Sequence, residues 1–161
     1  MKKFIAIILL LSSFSIPVLS SVSANAEGSC KKSVNPYIKL LLSNIDLENE
    51  VDLMDKFLNI YPFEEKKADS VFRDWMTLVH NSLKNSFSAY RKFKKSRSEQ
   101  ECEKNYNELI DNFASFEFFK SNKDEYLKDK CTKEDFINIE KKFEQAANVY
   151  LDENFGNKIE L

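Results

Sequence analysis

The chain has 161 residues, 24 of them Lys or Arg against 26 Asp or Glu, for a net charge of −2. That balance argues against a nucleic-acid or anionic-membrane binder working by bulk charge. Two glycines and three prolines in the whole chain are too few for the glycine-dependent turns of β-sandwiches, tight hairpins and phosphate loops, so the composition points to an all-α fold.

The N-terminus has the three parts of a secretory signal: Lys2 and Lys3, the apolar run FIAIILLL, and the small-residue ending Ala24-Asn25-Ala26. The run is well short of the about 20 residues needed to cross a bilayer. Cleavage is expected after Ala26, so that residues 1–26 are a signal peptide and 27–161 form a single helical domain with 22 basic and 26 acidic residues. The expected location is periplasmic or extracellular, with no stable membrane anchor after cleavage.

Cys30 follows Glu27, Gly28 and Ser29 rather than the Leu-Ala-Gly-like box of a lipoprotein, and is read as an ordinary thiol. The final Lys158-Ile159-Glu160-Leu161 is similar to the retention signal Lys-Asp-Glu-Leu. Isoleucine stands where that signal wants a polar group, and the end is read as a helical tail.

Asn35-Pro36 reads as an N-cap followed by proline at the first helical position, starting a short helix over about 36–44. Asp46 is the expected cap of a second helix, 47–60, with Leu47, Val51, Met54, Leu58 and Tyr61 on one face and Pro62 as its stop. No breaker follows between Phe63 and Lys95, where Phe72, Met76, Val79, Leu83, Phe87 and Tyr90 form one stripe with Trp75 beside it. The spacing predicts a long helix of about 30 residues.

Ser98 to Glu101 matches a capping box, opening a helix whose buried face carries Cys102, Tyr106, Leu109, Phe113 and Phe116. A polar, lysine-rich stretch from Lys120 to Lys130 has room for one turn at 124–127. Thr132 then caps a last helix marked by Phe136, Ile139, Phe143, Ala146 and Tyr150, with Gly156 at its end. Stripes of mean spacing 3.5 with short connections predict an up-down four-helix bundle with a short extra N-terminal helix.

Three cysteines in an oxidising compartment allow one disulfide and leave one thiol. Up-down topology puts Cys30 and Cys102 at one end and favours their pairing. A linker folded back along the bundle would instead pair Cys102 with Cys131. Cys131, expected as the free or alternative thiol, sits in a lysine-rich stretch before a helix, which would lower its pKa if exposed.

The single histidine, His80, is expected at the edge of the apolar stripe. Opposite Met54 it could serve as a haem ligand, but no Cys-x-x-Cys-His is present. One histidine cannot supply two Glu-x-x-His motifs for a di-iron site, and Asp152 to Gly156 only faintly resembles a calcium loop. No metal or cofactor is expected.

The basic run Arg91, Lys92, Lys94, Lys95 and Arg97 lies where cations complement a helix C-terminus, and is also a possible contact patch. Phe116, Phe118 and Phe119 cannot all face one core from a single helix. Either the helix ends near 117 and the later two tuck under the linker, or an apolar patch is left for a partner. No catalytic triad or phosphate loop can be assembled.

The sequence thus points to a non-enzymatic exported helical protein that binds another macromolecule, as an inhibitor, immunity-type or host or envelope interaction protein. A protein partner is expected and nucleic acid is not. The alternative is a carrier of an apolar ligand or haem within the bundle.

Overall fold

The computed structural model describes residues 30–156. The expected signal peptide, residues 27–29 and the Lys158–Leu161 motif lie outside the described residues. The described chain is all-helical, with six helices: α1 Pro36–Leu42, α2 Ile45–Ile60, α3 Lys67–Lys94, α4 Glu99–Ser121, α5 Lys123–Leu127 and α6 Lys133–Gly156.

Local side-chain chemistry sets the helix starts. The Asn35 carboxamide oxygen accepts from the Tyr37 N–H at 2.8 Å with Pro36 at the first helical position. Asn44, not the expected Asp46, caps α2 by accepting from the Leu47 N–H at 3.1 Å. Asp46 falls in the first turn, where its charge complements the helix dipole. Ser98 Oγ accepts from the Glu101 N–H at 3.1 Å, and the Glu101 carboxylate accepts from the Arg97 N–H at 2.9 Å. That is a capping box displaced by one residue on its return bond.

α3 begins four residues later than the stripe alone suggests. Tyr61, held extended ahead of Pro62 with ψ 128°, ends α2, as the residue before a proline tends to do. Phe63 then packs against Tyr61, Phe72 and Phe143, with ring centroids 4.8 to 6.3 Å apart. Keeping that ring in the core holds residues 63–66 out of the helix.

α3 is the organising element. It pairs antiparallel with α2, since Ser43 meets Tyr90 at 3.1 Å at one end and Lys84 Nζ donates to Asp55 Oδ2 at 2.8 Å farther along. It also forms an antiparallel hairpin with α4, closed at one end by Asn105 donating to the Lys92 carbonyl and Ser96 Oγ. At the other end Trp75 Nε1 donates to the Phe119 carbonyl at 3.0 Å.

α6 seats on α2 and the first half of α3. There Phe57, Phe72, Trp75, Phe136 and Phe143 form one aromatic cluster with centroid separations of 5.1 to 6.3 Å, the geometry in which ring edges meet ring faces. The expected stripes are buried except at Tyr61, Tyr106, Ala146 and Tyr150, which are half-buried. Ala147 and Leu151 complete the inner face of α6.

Candidate functional site

An open groove of about 650 Å³ lies where the start of α3 meets the loop before α6 and the first turns of α6. Ala68 and Ile139 form its apolar floor, and Lys66, Lys67, Lys141 and Lys142 stand around it, with Asp69, Cys131 and Asp135 in its walls. The connection that leads into it passes through Asp129 with φ 60°, a left-handed conformation that Asp tolerates better than most non-glycine residues. Thr132 anchors the start of α6: its hydroxyl donates to Asp135 Oδ2 at 2.6 Å and accepts from the Asp135 N–H at 3.2 Å.

The charges in this groove are unevenly matched. Glu64 ion-pairs with Lys66 and with Lys142, and those two cations hold its carboxyl below the ordinary range, the Lys66 hydrogen bond foremost. Lys67 and Lys141 have no ion-pair partner among the described residues. Asp69 is only 6% exposed, and its Oδ2 has no hydrogen-bond partner among the described residues. A buried carboxylate oxygen without a donor costs free energy.

Cys131 is half-buried and unpaired. A lowered pKa is expected only for an exposed thiol, and that condition is not met: burial pushes the thiol up, and Asp135 adds to this, outweighing the opposite pull of Lys67 and Lys130. Lysines on the sequence either side of a cysteine do not by themselves stabilise a thiolate when an acid is placed beside it.

Cys30 and Cys102 are joined by a disulfide, with Cα atoms 5.6 Å apart. The bridge ties the N-terminal segment to the start of α4, whereas Cys131 lies near the start of α3. At 1.5 Å per residue along α3, the bridge and the free thiol are about 40 Å apart.

The basic run and the phenylalanines do not form one patch. Arg91 to Arg97 lie at the C-terminal end of α3, while Phe118 is near the far end of α4, about 30 Å away along the helix axis. Arg91 ion-pairs with Glu48, Lys92 with Glu108 at 2.7 Å, and Lys94 sits 5.7 Å from the Tyr90 ring centre. Arg91, Lys92 and Lys94 thus engage groups of the fold itself, although all five basic residues of the run are exposed.

α4 continues to Ser121 rather than stopping near 117. Phe116 is a core residue at 1% exposure, Phe119 is half-buried, and Phe118 alone projects, 61% exposed. Three aromatic residues in four helical positions cannot share one face, and the helix turns Phe118 outward to keep the other two in.

His80 is not a boundary residue. It is 1% exposed on α3 with both ring nitrogens unpartnered among the described residues, and burial drives its pKa down to about 4 against the weaker opposing pull of Asp55. Met54 is also buried. Among the described residues there is no group of three or more His, Cys, Asp or Glu side chains placed to hold a metal ion, and Asp152, Glu153 and Asn154 continue α6 as helix rather than forming a loop. No helix of the described residues is long and apolar enough to cross a membrane.

Sequence reasoning placed Cys131 near a helix start but missed the groove. Its walls come from residues 64–69 and 131–145, which no motif links. The one local signal was Thr132 and Asp135 at capping spacing. No protein-family model matches the chain, and neither a curated protein nor a solved structure is significantly similar to it.

Proposed function

We propose that the protein is exported and acts without catalysis, by binding an acidic segment of another protein in the groove between α3 and α6. The observation that carries this reading is the pair Lys67 and Lys141, cations without an ion-pair partner among the described residues, lining the groove together with the apolar Ala68 and Ile139. An extended segment with alternating acidic and apolar side chains complements those two cations and the two apolar residues beside them. The Cys30–Cys102 bridge supports export, since disulfides persist in oxidising compartments. Antiparallel pairing of α2 with α3 and of α3 with α4 supports the up-down four-helix reading of α2, α3, α4 and α6 as the rigid frame behind the groove.

The test is calorimetric titration with a synthetic peptide of alternating Glu and Leu, against its Lys and Leu counterpart. The acidic peptide binds, the basic one does not, and reversing Lys67 and Lys141 to Glu together weakens binding by about tenfold or more. Reversing Lys94 and Lys95 at the far end of α3 leaves it unchanged. Equal effects of the two pairs of reversals, or no preference between the peptides, would overturn the reading.

A further inference from the structure

His80 is an ionisable side chain at a place where ionisation requires movement. It is 1% exposed, and neither ring nitrogen has a hydrogen-bond partner among the described residues. Asp55 acts on the ring from α2 and Lys84 from its own helix, while α4 and α6 contribute no charge there. The Asp55 carboxylate is already bonded to the Lys84 ammonium at 2.8 Å, with Asp52 of α2 3.8 Å from the same ammonium. A proton added to the closed ring is therefore a buried charge without an acceptor, which costs far more than the same charge in water.

α2 and α4 are held to α3 differently. α4 is fastened at both ends of its hairpin, by Asn105 and by the Trp75 indole. The polar ties of α2 to α3, Ser43 with Tyr90, Glu48 with Arg91 and Asp55 with Lys84, all lie in partly exposed surroundings. The arm that α1 and α2 form is tethered at both ends, upstream to α4 by the Cys30–Cys102 bridge and downstream to α3 by the non-helical residues 61–66. It can leave α3 and return without losing its place.

We infer that α1 and α2 are an acid-released arm: uptake of one proton by His80 parts α2 from α3 and uncovers the apolar faces between them, while the α3–α4 hairpin stays folded. The open form is a minor state at neutral pH. In it the ring meets water and binds a proton near pH 6.5, whereas in the closed form burial keeps it neutral until about pH 4. The open population therefore rises about tenfold for each pH unit between those values. What it exposes is apolar: Val51 and Met54 of α2 and Val79 and Leu83 of α3 are each no more than 2% exposed when closed. A surface offered only in acid is the use to which buried histidines are put in other pH-sensing proteins. The inference does not rest on peptide binding in the groove, which lies at the start of α3.

Amide hydrogen exchange of the oxidised protein, followed by NMR at pH 7, 6 and 5 over a series of low urea concentrations and corrected for intrinsic exchange, separates local opening from global unfolding. Amides of α2 exchange about tenfold or more faster than those in the middle of α4, with a weaker dependence on urea because less surface is exposed. Their corrected rate rises about tenfold per pH unit below 6.5. His80→Leu flattens that rise in α2. If α2 and α4 exchange at the same corrected rate with the same urea dependence at every pH, the acid response is global unfolding and the inference is overturned. It is equally overturned if the rise in α2 persists in His80→Leu. Should that variant not fold, the comparison of α2 with α4 in the unaltered protein decides.

Discussion

Trp75 donates its indole N–H to the backbone carbonyl of Phe119 across the α3–α4 hairpin, at 3.0 Å, while its ring packs against Phe72 and Phe136. The single tryptophan therefore joins three helices, capping a carbonyl of α4 and contributing its ring to the cluster under α6. Trp75→Phe keeps an aromatic ring but leaves the Phe119 carbonyl without that donor and opens space beside Phe136. The expected cost is about 2–4 kcal/mol, combining a lost, partly buried hydrogen bond with underpacking. Urea unfolding monitored by circular dichroism measures it, and a cost under half a kcal/mol would show that the bond contributes nothing.

Phe116 and Phe118 are separated by two positions and by opposite environments. Phe116→Ala should destabilise by about 3–5 kcal/mol, as for a fully buried aromatic ring. Phe118→Ser should stay within about half a kcal/mol of the unaltered protein. The two midpoints in one denaturant series provide the check. A large loss at Phe118 would mean that the exposed ring is covered in solution, by a second copy or by the chain termini.

These two residues also show how far the sequence could be read. Helix existence and inward faces follow from spacing, because burial of an apolar stripe is decided within one helix: Val51, Met54, Phe72, Val79, Leu109 and Phe143 were all legible and all lie in the core. Caps were legible to within one or two residues, since Asn44 and Asp46 are equally good acceptors and only the entry of the chain decides between them. Which helices touch was not legible. α6 settles on α2 and the first half of α3 because Phe136 and Phe143 find Phe72, Trp75 and Phe57 there, and that choice is made between residues 61 to 86 positions apart. His80 and the groove belong to this second kind. His80 looked like an edge residue from its neighbours on α3, and only the arrival of α2 buries it.

The Cys30–Cys102 bridge closes a loop of 72 residues. On a chain-entropy account a loop of that length stabilises the fold by about 4 kcal/mol, through restriction of the unfolded chain. Replacing both cysteines with Ala removes the bridge without leaving a stray thiol, and the unfolding free energy should fall by roughly that amount while the helical circular dichroism is retained at low temperature. Reduction of the unaltered protein should produce the same shift. If the double variant were as stable as the parent, the N-terminal segment would be tied down by its other contacts, such as Lys32 to Glu103 and Lys32 over the Tyr106 ring.

His80 gives the fold a pH dependence whose sign is fixed by its burial. In the folded protein it stays neutral until about pH 4, whereas the unfolded chain protonates it near 6.5. Between those values the unfolded state binds the extra proton, so stability is full above about pH 6.5 and falls as the pH drops toward 4. At 1.36 kcal/mol per pH unit the loss amounts to about 3 kcal/mol by pH 4. Asp55 and Lys84 flank the ring from α2 and α3 and are ion-paired with each other at 2.8 Å, so the Asp55 carboxylate is already engaged, and the Lys84 cation opposes protonation of the ring. His80→Leu removes the titrating group and two unpartnered nitrogens while keeping an apolar side chain in the site. The variant should be at least as stable as the parent at pH 8, and its advantage should grow by about 3 kcal/mol on going to pH 4. Unfolding free energies of both proteins at pH 8, 6, 5 and 4 test this directly, the other titrating groups cancelling in the difference. Parallel curves would mean that His80 takes up its proton in the folded state as readily as in the unfolded one, through a partner or an opening of α2 over α3.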